Sequence, residues 1–469
     1  MREVDLIVLG AGSGNSIPMP ELADREIVVV DDGERFGGTC LNVGCIPTKM
    51  FIHPAEIAHE LREARERFGA DSAEASFDWR AIRDRVFGRI DAISEGGEAY
   101  RAGGEPNISL VRETVRLVGD REIETASGER IRGERILLGA GSRPRELEAL
   151  PWGDRVHSNE TIMRLEALPE TIAVIGGGAI ACEFAAMLAG LGAKVVQLHR
   201  SELLRGMDGD LRETFTVAAR ERWDLRLGVE VERAEELEDG LRLELSDGGS
   251  LEVERVLVAV GRIPNADRIG AGERGFDLRD SGALQVDDRQ RVLRDGEPVE
   301  GVFAFGDLAN EHQLKHVANH EARIAFANAA RELDAAGGGA EAELEANELA
   351  PVPLVVFSTP QIASFGLTLD AAQEQGFDAV EARCDYGATA WGWALEDETS
   401  FAKLVVARGS GAILGAHIIG PDAGILIQPL VQAASFGMTV RGLARGQYWP
   451  HPAATEIIEN ALLRAEEQL

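Results

Sequence analysis

The sequence predicts an α/β protein with two β-α-β units and a separate α+β unit at its C-terminal end. Two observations favour this architecture. An apolar strand followed by a glycine-rich turn occurs twice, near residues 10 and 176. The C-terminal quarter contains further strands and helices but no turn of that kind. A chain of 469 residues is also long enough for several domains.

The first glycine-rich turn lies between two apolar runs, at residues 4–9 and 27–30. The residues of interest are Gly10, Gly12, Gly14 and, at the end of the second run, Asp31. In Rossmann-like units the first glycine makes the turn and the second admits a pyrophosphate. An acid about twenty residues on binds a ribose hydroxyl. The pattern therefore predicts a dinucleotide site.

We expect a helix after this turn, with an irregular start. Asn15 stands where the pattern has its last glycine, and Pro18 and Pro20 follow closely. Helix–strand packing at this point should therefore differ from the usual arrangement.

A cysteine pair follows in residues 37–49, GGTCLNVGCIPTK. Cys40 and Cys45 stand five positions apart, so one short turn can bring their sulfurs within bonding distance. Pro47 suits the first turn of a helix, whose N-terminus would favour a thiolate at Cys45. A structural disulfide or two buried thiols are the alternatives. The sequence favours a redox-active pair, because a chain of this length does not need one tight cross-link for stability.

The second glycine-rich turn follows an apolar run at residues 172–175. Gly176, Gly178 and Ala181 take the three positions of the pattern, and a helix is expected through residue 191. Two dinucleotides on one chain with a cysteine pair indicate that one of them is a flavin, because hydride must be converted to a two-electron thiol couple.

The strand after this turn, residues 194–198, ends without an acid. Arg200 and Arg205 follow it instead. Arginines there can bind a 2′-phosphate through paired hydrogen bonds, so they predict NADP rather than NAD. Ordinary surface arginines are the alternative in a chain with only four lysines among 48 basic residues.

Residues 331–350, rich in alanine and glycine and then acidic, are predicted to be a linker. The α+β unit beyond it contains His451 and Glu456, at the start of an expected helix. Glu456 can accept a hydrogen bond from one imidazole nitrogen and leave the other free for acid–base chemistry. A surface or packed histidine is the alternative.

Composition excludes several functions. The formal net charge of −32 argues against nucleic acid or anionic lipid as a partner. No apolar run of about 18 residues is present, so we expect no membrane span. The acidic N-terminus does not read as a signal peptide, and four cysteines suit a reducing compartment, so we expect a cytoplasmic protein. No metal site is predicted.

Four features together resemble one known family. They are the Cys40–Cys45 segment, Gly306-Asp307 after a strand, residues 141–144 after another, and the His451–Glu456 pair. The chain is similar, essentially from end to end, to the FAD- and NAD(P)-dependent disulfide reductases, the family of glutathione reductase and dihydrolipoyl dehydrogenase.

The resemblance implies FAD and NADPH as cofactors. It implies FAD contacts at Gly10, Gly12, Gly14, Asp31, Gly38, Thr39, Lys49, Val115, Ala140, Gly141 and Asp307. It implies NADPH contacts at Gly176, Gly178, Ala181, Glu183, Arg200, Arg205 and Gly261. Lys49 and Glu183 match the family's ion pair beside the flavin ring, which places both in the catalytic set.

The implied domains are residues 1–155 for FAD and the redox disulfide, 156–270 for NADPH, 271–345 as a return to the FAD domain, and 346–469 for dimerisation. In this family the C-terminal histidine reaches the disulfide of the other subunit. The resemblance therefore implies a homodimer with composite active sites. His451, oriented by Glu456, would protonate the departing thiol after Cys40 attacks the substrate, while Cys45 would face the flavin.

Four segments are similar to family members that act on mycothione: residues 10–16, 314–323, 386–397 and 428–452. The expected substrate is therefore a small-molecule disulfide, mycothione. Another small disulfide such as glutathione disulfide, or oxidation of a dithiol with NAD as in dihydrolipoyl dehydrogenase, is the alternative within the family. A non-catalytic electron-transfer flavoprotein is the alternative outside it.

Overall fold

The structure is a computed structural model that describes residues 1–71, 76–338, 342–348 and 351–469. Its strands and helices fall into an N-terminal group, a middle group, a return segment and a C-terminal group. Among the residues described, none of the helices combines the length and apolar character that crossing a bilayer demands.

The N-terminal group is built on a mixed sheet whose strands β6, β1, β2 and β3 are parallel, with β1 between β2 and β6. Its strands are β1 Arg2–Leu9, β2 Ile27–Val30, β3 Ile108–Val111, β4 Val115–Gly119, β5 Glu122–Thr125, β6 Arg130–Leu138 and β7 Ser142–Pro144. Its helices are α1 Met19–Leu22, α2 Gly38–Asn42, α3 Cys45–Phe68 and α4 Trp79–Gly103. Leu6 and Val8 face one hydrophobic core and Ile7 and Leu9 face another. Burial on both faces explains why these strands read as continuous apolar runs.

The helix expected directly after the first glycine-rich turn is largely missing. The chain forms one turn of 3-10 helix, Ser13–Asn15, and then α1, which is only four residues long. Pro18 and Pro20 cannot donate backbone hydrogen bonds to a continuing helix. Arg101 of α4 holds the loop instead, because its guanidinium donates to the side chain of Asn15 at 2.6 Å and to its carbonyl at 2.8 Å. The expectation of a full helix was wrong for this reason.

The middle group contains a five-stranded parallel sheet with the order β11-β10-β9-β15-β8. The middle group as a whole has nine strands in the described residues, of which β12, β13 and β14 form a second sheet and β16 pairs with β7. They are β8 Val156–His157, β9 Thr171–Ile175, β10 Lys194–His199, β11 Asp224–Leu227, β12 Val231–Glu236, β13 Leu241–Leu245, β14 Ser250–Val253, β15 Arg255–Val258 and β16 Arg262–Pro264. Its helices are α5 Ala179–Leu191 and α6 Gly209–Arg222. The second expected β-α-β unit is therefore present with its full helix. Helix α5 packs tightly on α3, since a Cβ at Gly190 would lie 2.9 Å from that of Ala55.

The chain then returns to the first sheet through β17 Arg291–Arg294, β18 Glu297–Ala304 and α7 Lys315–Gly338. Strand β18 pairs in parallel with β6, which completes an eight-stranded sheet. The predicted linker from residue 331 was wrong for residues 331–338, which belong to α7. Alanine is the strongest helix former, and Leu333 is buried in the core beneath the helix. Residues 342–348 have no regular structure, and the rest of the predicted linker lies outside the described residues.

The C-terminal group is an antiparallel sheet with the order β19-β20-β23-β22-β21, covered by helices. Its strands are β19 Leu354–Val356, β20 Ile362–Gly366, β21 Ala379–Asp385, β22 Phe401–Ala407 and β23 Ile413–Ile419. Its helices are α8 Leu369–Glu374, α9 Ala390–Leu395, α10 Ala423–Leu426, α11 Gln428–Ser435 and α12 Thr455–Glu467. The predicted α+β unit is confirmed. The domain boundaries drawn from the sequence stay a prediction.

Candidate active site

The two thiols lie where α2 meets α3. Cys40 is half-buried in α2, and Cys45 is exposed at the first position of α3. Gly44 between them allows the tight turn, because a Cβ there would lie 2.9 Å from the carbonyl oxygen of Thr39. The turn places the two thiols near enough for each to change the pKa of the other. Disulfide formation therefore needs little movement of the backbone.

The two thiols have opposite acidities. The pKa of Cys45 is lowered to about 7, first because the Cys40 thiol donates a hydrogen bond to its sulfur and further because Lys49 is positively charged. The pKa of Cys40 is raised, because it is the donor in that hydrogen bond and is buried. In the reduced pair, the proton therefore stays on Cys40 and the thiolate forms at Cys45.

Lys49 and Glu183 join the two β-α-β units beside this thiolate. The Nζ atom of Lys49 lies 2.7 Å from Oε2 of Glu183, and the ammonium also lies over the ring of Phe357. Glu183 is buried on α5, and its other oxygen accepts the backbone N–H of Phe357 at 2.9 Å. Burial raises the pKa of Glu183, while Lys49 opposes that shift. The pair thus joins a buried carboxylate to a half-buried ammonium one helical turn from Cys45.

The first glycine-rich turn has the shape that a bound dinucleotide requires. A Cβ at Gly10 would lie 2.2 Å from the carbonyl oxygen of Gly139, and a Cβ at Gly38 would lie 2.6 Å from Cα of Gly12. A Cβ at Gly12 would have only the Cα of Gly38 nearby, at 3.9 Å among the described residues, so the backbone of Gly12 is open on one side. The turn therefore forms a cradle of bare backbone, and these residues fit the pyrophosphate of FAD.

Asp31 lies buried at the end of β2 and already has protein partners. Its carboxylate accepts the backbone N–H groups of Ala11 at 3.1 Å and Gly33 at 3.0 Å, and the guanidinium of Arg112 at 2.6 Å. Burial raises its pKa, and these three donors lower it again. Sequence reasoning missed Arg112, which lies beyond the reach of any local pattern.

Asp307 follows β18, and we call the region between it and the two thiols the cleft. Its Oδ2 atom accepts a hydrogen bond from Ser142 at 2.6 Å, and Arg262 donates to the same hydroxyl at 2.7 Å. Burial lowers the pKa of Arg262, while the charge of Asp307 raises it. Arg262 is a second residue that the sequence did not indicate. It connects the middle group to the neighbourhood of the thiols.

The remaining predicted FAD contacts differ in exposure. Gly14 packs against β1, since a Cβ there would lie 2.9 Å from a methyl of Val8. The side chain of Val115 is buried in the core, and only its backbone can face a ligand. Thr39 is exposed, and Ala140 and Gly141 are half-buried at the end of β6.

The second glycine-rich turn also presents bare backbone. A Cβ at Gly176 would lie 2.3 Å from the carbonyl oxygen of Ala259, whereas Gly178 and Gly261 face open space. Ala181 is fully buried where α5 begins. These positions fit a dinucleotide at the N-terminus of α5.

Arg200 and Arg205 are both exposed beyond β10. The loop that carries them is tied to the glycine turn, because the N–H of Leu204 donates to the carbonyl of Gly177 at 2.7 Å. Arg200 has one acidic neighbour, Glu230, at 3.8 Å. Both guanidinium groups are therefore available to an anionic ligand.

His451 and Glu456 form the pair expected from the sequence. The Nδ1 atom of His451 lies 2.7 Å from Oε1 of Glu456, and the imidazole is exposed over 68% of its surface. Within the part of the chain that the structure describes, no hydrogen bond or ion pair links His451 to Cys40 or Cys45. In the described residues the contact of the imidazole is thus to Glu456 through Nδ1.

Comparison with known families identifies the class of protein. Residues 4–322 match the model of the pyridine nucleotide-disulphide oxidoreductases, and residues 352–462 match the dimerisation domain of the same family. The chain belongs to this family. It is a flavoprotein disulfide reductase that uses FAD and a pyridine nucleotide, and the predicted resemblance is confirmed.

Three relatives are similar to this chain over more than nine tenths of its length. The chain is 42% identical to mycothione reductase of Mycobacterium tuberculosis over 99% of both chains. It is 32% identical to glutathione reductase of Burkholderia cepacia, over 92% of both chains. It is 32% identical to dihydrolipoyl dehydrogenase of Haloferax volcanii, over 98% of this chain and 97% of the relative.

Solved structures share the whole fold. The HOCl-induced flavoprotein disulfide reductase RclA of Escherichia coli, in its Cu(II) complex, superposes with a TM-score of 0.83, at 22% identity and 99% coverage of both chains. LpdA of Mycobacterium tuberculosis superposes with a TM-score of 0.82 at the same identity and coverage. At this level of identity the likeness establishes the fold alone.

Proposed function

We propose that this chain reduces mycothione to mycothiol with NADPH. The observation that carries the chemistry is the contact between the Cys40 and Cys45 thiols beside the Lys49–Glu183 ion pair. The identity of 42% to a protein named mycothione reductase, over 99% of both chains, supports the substrate.

The proposed reaction uses the two cysteines in turn. The thiolate of Cys40 attacks one sulfur of the substrate and forms a mixed disulfide. Cys45 then attacks the Cys40 sulfur, which releases the second thiol and restores the Cys40–Cys45 disulfide. Bound FAD supplies the two-electron link between NADPH and this pair. Overall, NADPH, one proton and one disulfide give NADP⁺ and two thiols.

His451 acts as the general base and then the general acid while the mixed disulfide forms. Its Nε2 atom accepts the proton of Cys40 as that thiol attacks, and then donates it to the first departing thiol. Glu456 accepts from Nδ1, which fixes the ring orientation and stabilises the imidazolium. Cys45 attacks as the thiolate, and the second thiol takes its proton from solvent, which is the one proton of the overall reaction.

We infer that the active unit is a homodimer in which each site uses His451 of the partner subunit. The exposed imidazole and the exposed Cys45 support this arrangement. The C-terminal group also presents large apolar side chains to solvent, including Ile425 at 71% and Phe436 at 77% exposure. Such side chains are typical of a surface that another subunit covers.

The substrate assignment is tested by initial rates of NADPH oxidation with mycothione, glutathione disulfide and oxidised lipoamide. We expect the largest kcat/KM for mycothione. The Cys40→Ser variant should consume none of the three disulfides and serves as the control. A larger kcat/KM for glutathione disulfide or lipoamide would contradict the proposed substrate while leaving the chemistry intact.

The composite site is tested by mixing two inactive variants, Cys40→Ser and His451→Ala, under conditions that permit subunit exchange. A mixed dimer has one site with both lesions and one with neither. Random exchange makes about half of the dimers mixed, so roughly a quarter of wild-type activity should return. No recovery, with exchange verified by mass spectrometry, would mean that each subunit uses its own histidine.

A further inference from the structure

Lys315 lies in the same cleft as the two thiols and has no role in the reaction described above. It is the first residue of α7, and its Nζ atom donates a hydrogen bond to the hydroxyl of Ser13 at 2.9 Å. Asn319, one turn further along α7, contacts the same hydroxyl at 3.0 Å. The N-terminal turn of α7 is therefore fastened to the first glycine-rich loop.

That loop also contacts the cysteine segment. A Cβ at Gly38 would lie 2.6 Å from Cα of Gly12, so α2 rests directly on the turn next to Ser13. Lys315 and α2 consequently occupy adjacent sides of one short loop. This places the half-buried ammonium close to Cys40, and the charges of Cys40, Cys45 and Asp307 all act on it.

The two lysines of the cleft act on different sulfurs. The charge of Lys315 lowers the pKa of Cys40, whereas that of Lys49 lowers the pKa of Cys45. The other charged groups around the pair are Glu183 and Arg262, whose charges interact with Cys45, and Asp307, whose charge acts on both Lys315 and Arg262. Burial lowers the pKa of Lys315, and the nearby negative charges counteract this.

The choice of lysine is itself informative. Only four of the 48 basic residues are lysines, and two of those four lie beside the thiol pair. An ammonium is a compact point charge, whereas a guanidinium is a planar fork that prefers paired acceptors. A single sulfur beside a hydroxyl therefore suits an ammonium better than a guanidinium.

We propose that Lys315 is a positioning residue that favours negative charge on the sulfur of Cys40, opposite to the action of Lys49 on Cys45. This inference rests on the proposed function, since Cys40 must become a thiolate to attack a disulfide. The two lysines then bias the thiolate in opposite directions within one reduced pair. Removal of either should shift the balance between the two sulfurs, and the shifts should have opposite sign.

The experiment measures which sulfur is alkylated. The holoenzyme is reduced with one equivalent of NADPH under argon and treated briefly with iodoacetamide at pH 7, and the ratio of modified Cys40 to modified Cys45 is read by mass spectrometry. In Lys315→Met this ratio should fall about threefold to tenfold, which corresponds to roughly half to one pKa unit. In Lys49→Met it should rise. Lys315→Arg retains the charge and should lie between Lys315→Met and wild type.

Lys194→Met is the matched control, because Lys194 lies on the surface and pairs with exposed Glu170. It should leave the ratio unchanged. An unchanged ratio in Lys315→Met, or a change in the same direction as in Lys49→Met, would overturn the inference. Failure of the proposed function is distinguishable, because the alkylation ratio can shift as expected in an enzyme that turns over no mycothione.

Discussion

The two glycine-rich turns begin alike and continue differently. A Cβ at Gly10 would lie 2.2 Å from the carbonyl of Gly139, and a Cβ at Gly176 would lie 2.3 Å from the carbonyl of Ala259. Both glycines thus sit against the end of a neighbouring parallel strand, β6 or β15, with positive φ. After the second turn comes α5 with thirteen residues, whereas after the first comes a single 3-10 turn.

This difference shows which part of the motif is indispensable. The strand end and the glycine must be in place for the chain to reverse so tightly. The helix can be replaced, because Arg101 of α4 and Lys315 and Asn319 of α7 hold the first loop from outside. The first turn therefore depends on residues distant in sequence, while the second is followed by its own helix and held by Gln197 and Leu204, which lie within 30 residues of it.

The largest effect should come from a substitution at the thiols, which adjoin the first glycine-rich turn and not the second. Because Cys40 is the proposed attacking sulfur, Cys40→Ser should lower the rate of disulfide reduction by more than about a thousandfold. The same variant should still transfer hydride from NADPH to the flavin at a rate close to that of the wild-type enzyme. This rate is measured by stopped-flow absorbance at the flavin band. Retained disulfide turnover would show that Cys40 is not the attacking sulfur.

The dependence of the first turn on Arg101 can be tested by stability. Arg101 and Glu105 form an ion pair with side chains exposed over 8% and 13%. Arg101→Met leaves Glu105 without its positively charged partner, although Tyr100 still donates to it, and leaves Asn15 without its donor. The free energy of unfolding measured by urea titration should therefore fall by about 3 kcal/mol. Lys194→Met breaks an exposed ion pair of the second region and should change the midpoint little. Equal effects of the two variants would remove the contrast between the regions.

The second region should set the choice of nicotinamide cofactor. Arg200→Glu replaces a donor for the 2′-phosphate by a repelling charge, so the ratio of kcat/KM for NADPH to that for NADH should fall about tenfold to a hundredfold. Arg226→Glu is the control, because it alters a half-buried arginine on the neighbouring strand β11. Arg212→Glu is unsuitable as a control, because Arg212 forms an ion pair from α6 to Glu202. An unchanged preference in Arg200→Glu would show that Arg200 does not bind the 2′-phosphate.

The smallest effect concerns the acidity of Cys45 in the first region. Its pKa is lowered to about 7, so its alkylation rate in the reduced enzyme should rise with pH and reach half its maximum near pH 7. An ordinary thiol reaches that point near pH 8.5, roughly. Lys49→Met should move the midpoint upward and slow alkylation at pH 7 severalfold. A midpoint above about 8.5 in the wild-type enzyme would contradict the contact between the two thiols.

Much of the site could be predicted from sequence, because its motifs are local. The turn at Gly176, the cysteine segment from Gly37 to Lys49 and the His451–Glu456 spacing each lie within one element and its neighbour. Their chemistry follows from residue type and distance along the chain. The ion pair between Lys49 and Glu183 was indicated by family resemblance and is present at 2.7 Å. The roles of the predicted site residues stay predictions.

The sequence by itself determined the strands, the glycine turns and the thiol pair, since these depend on backbone freedom and on short-range periodicity. Only the tertiary structure decided that the first turn lacks its helix, that α7 extends to Gly338, and that Arg112, Arg262 and Lys315 enter the cleft. The physical reason is separation along the chain. Each of these contacts joins residues about eighty to three hundred positions apart, whose meeting depends on the packing of whole elements and leaves no local pattern.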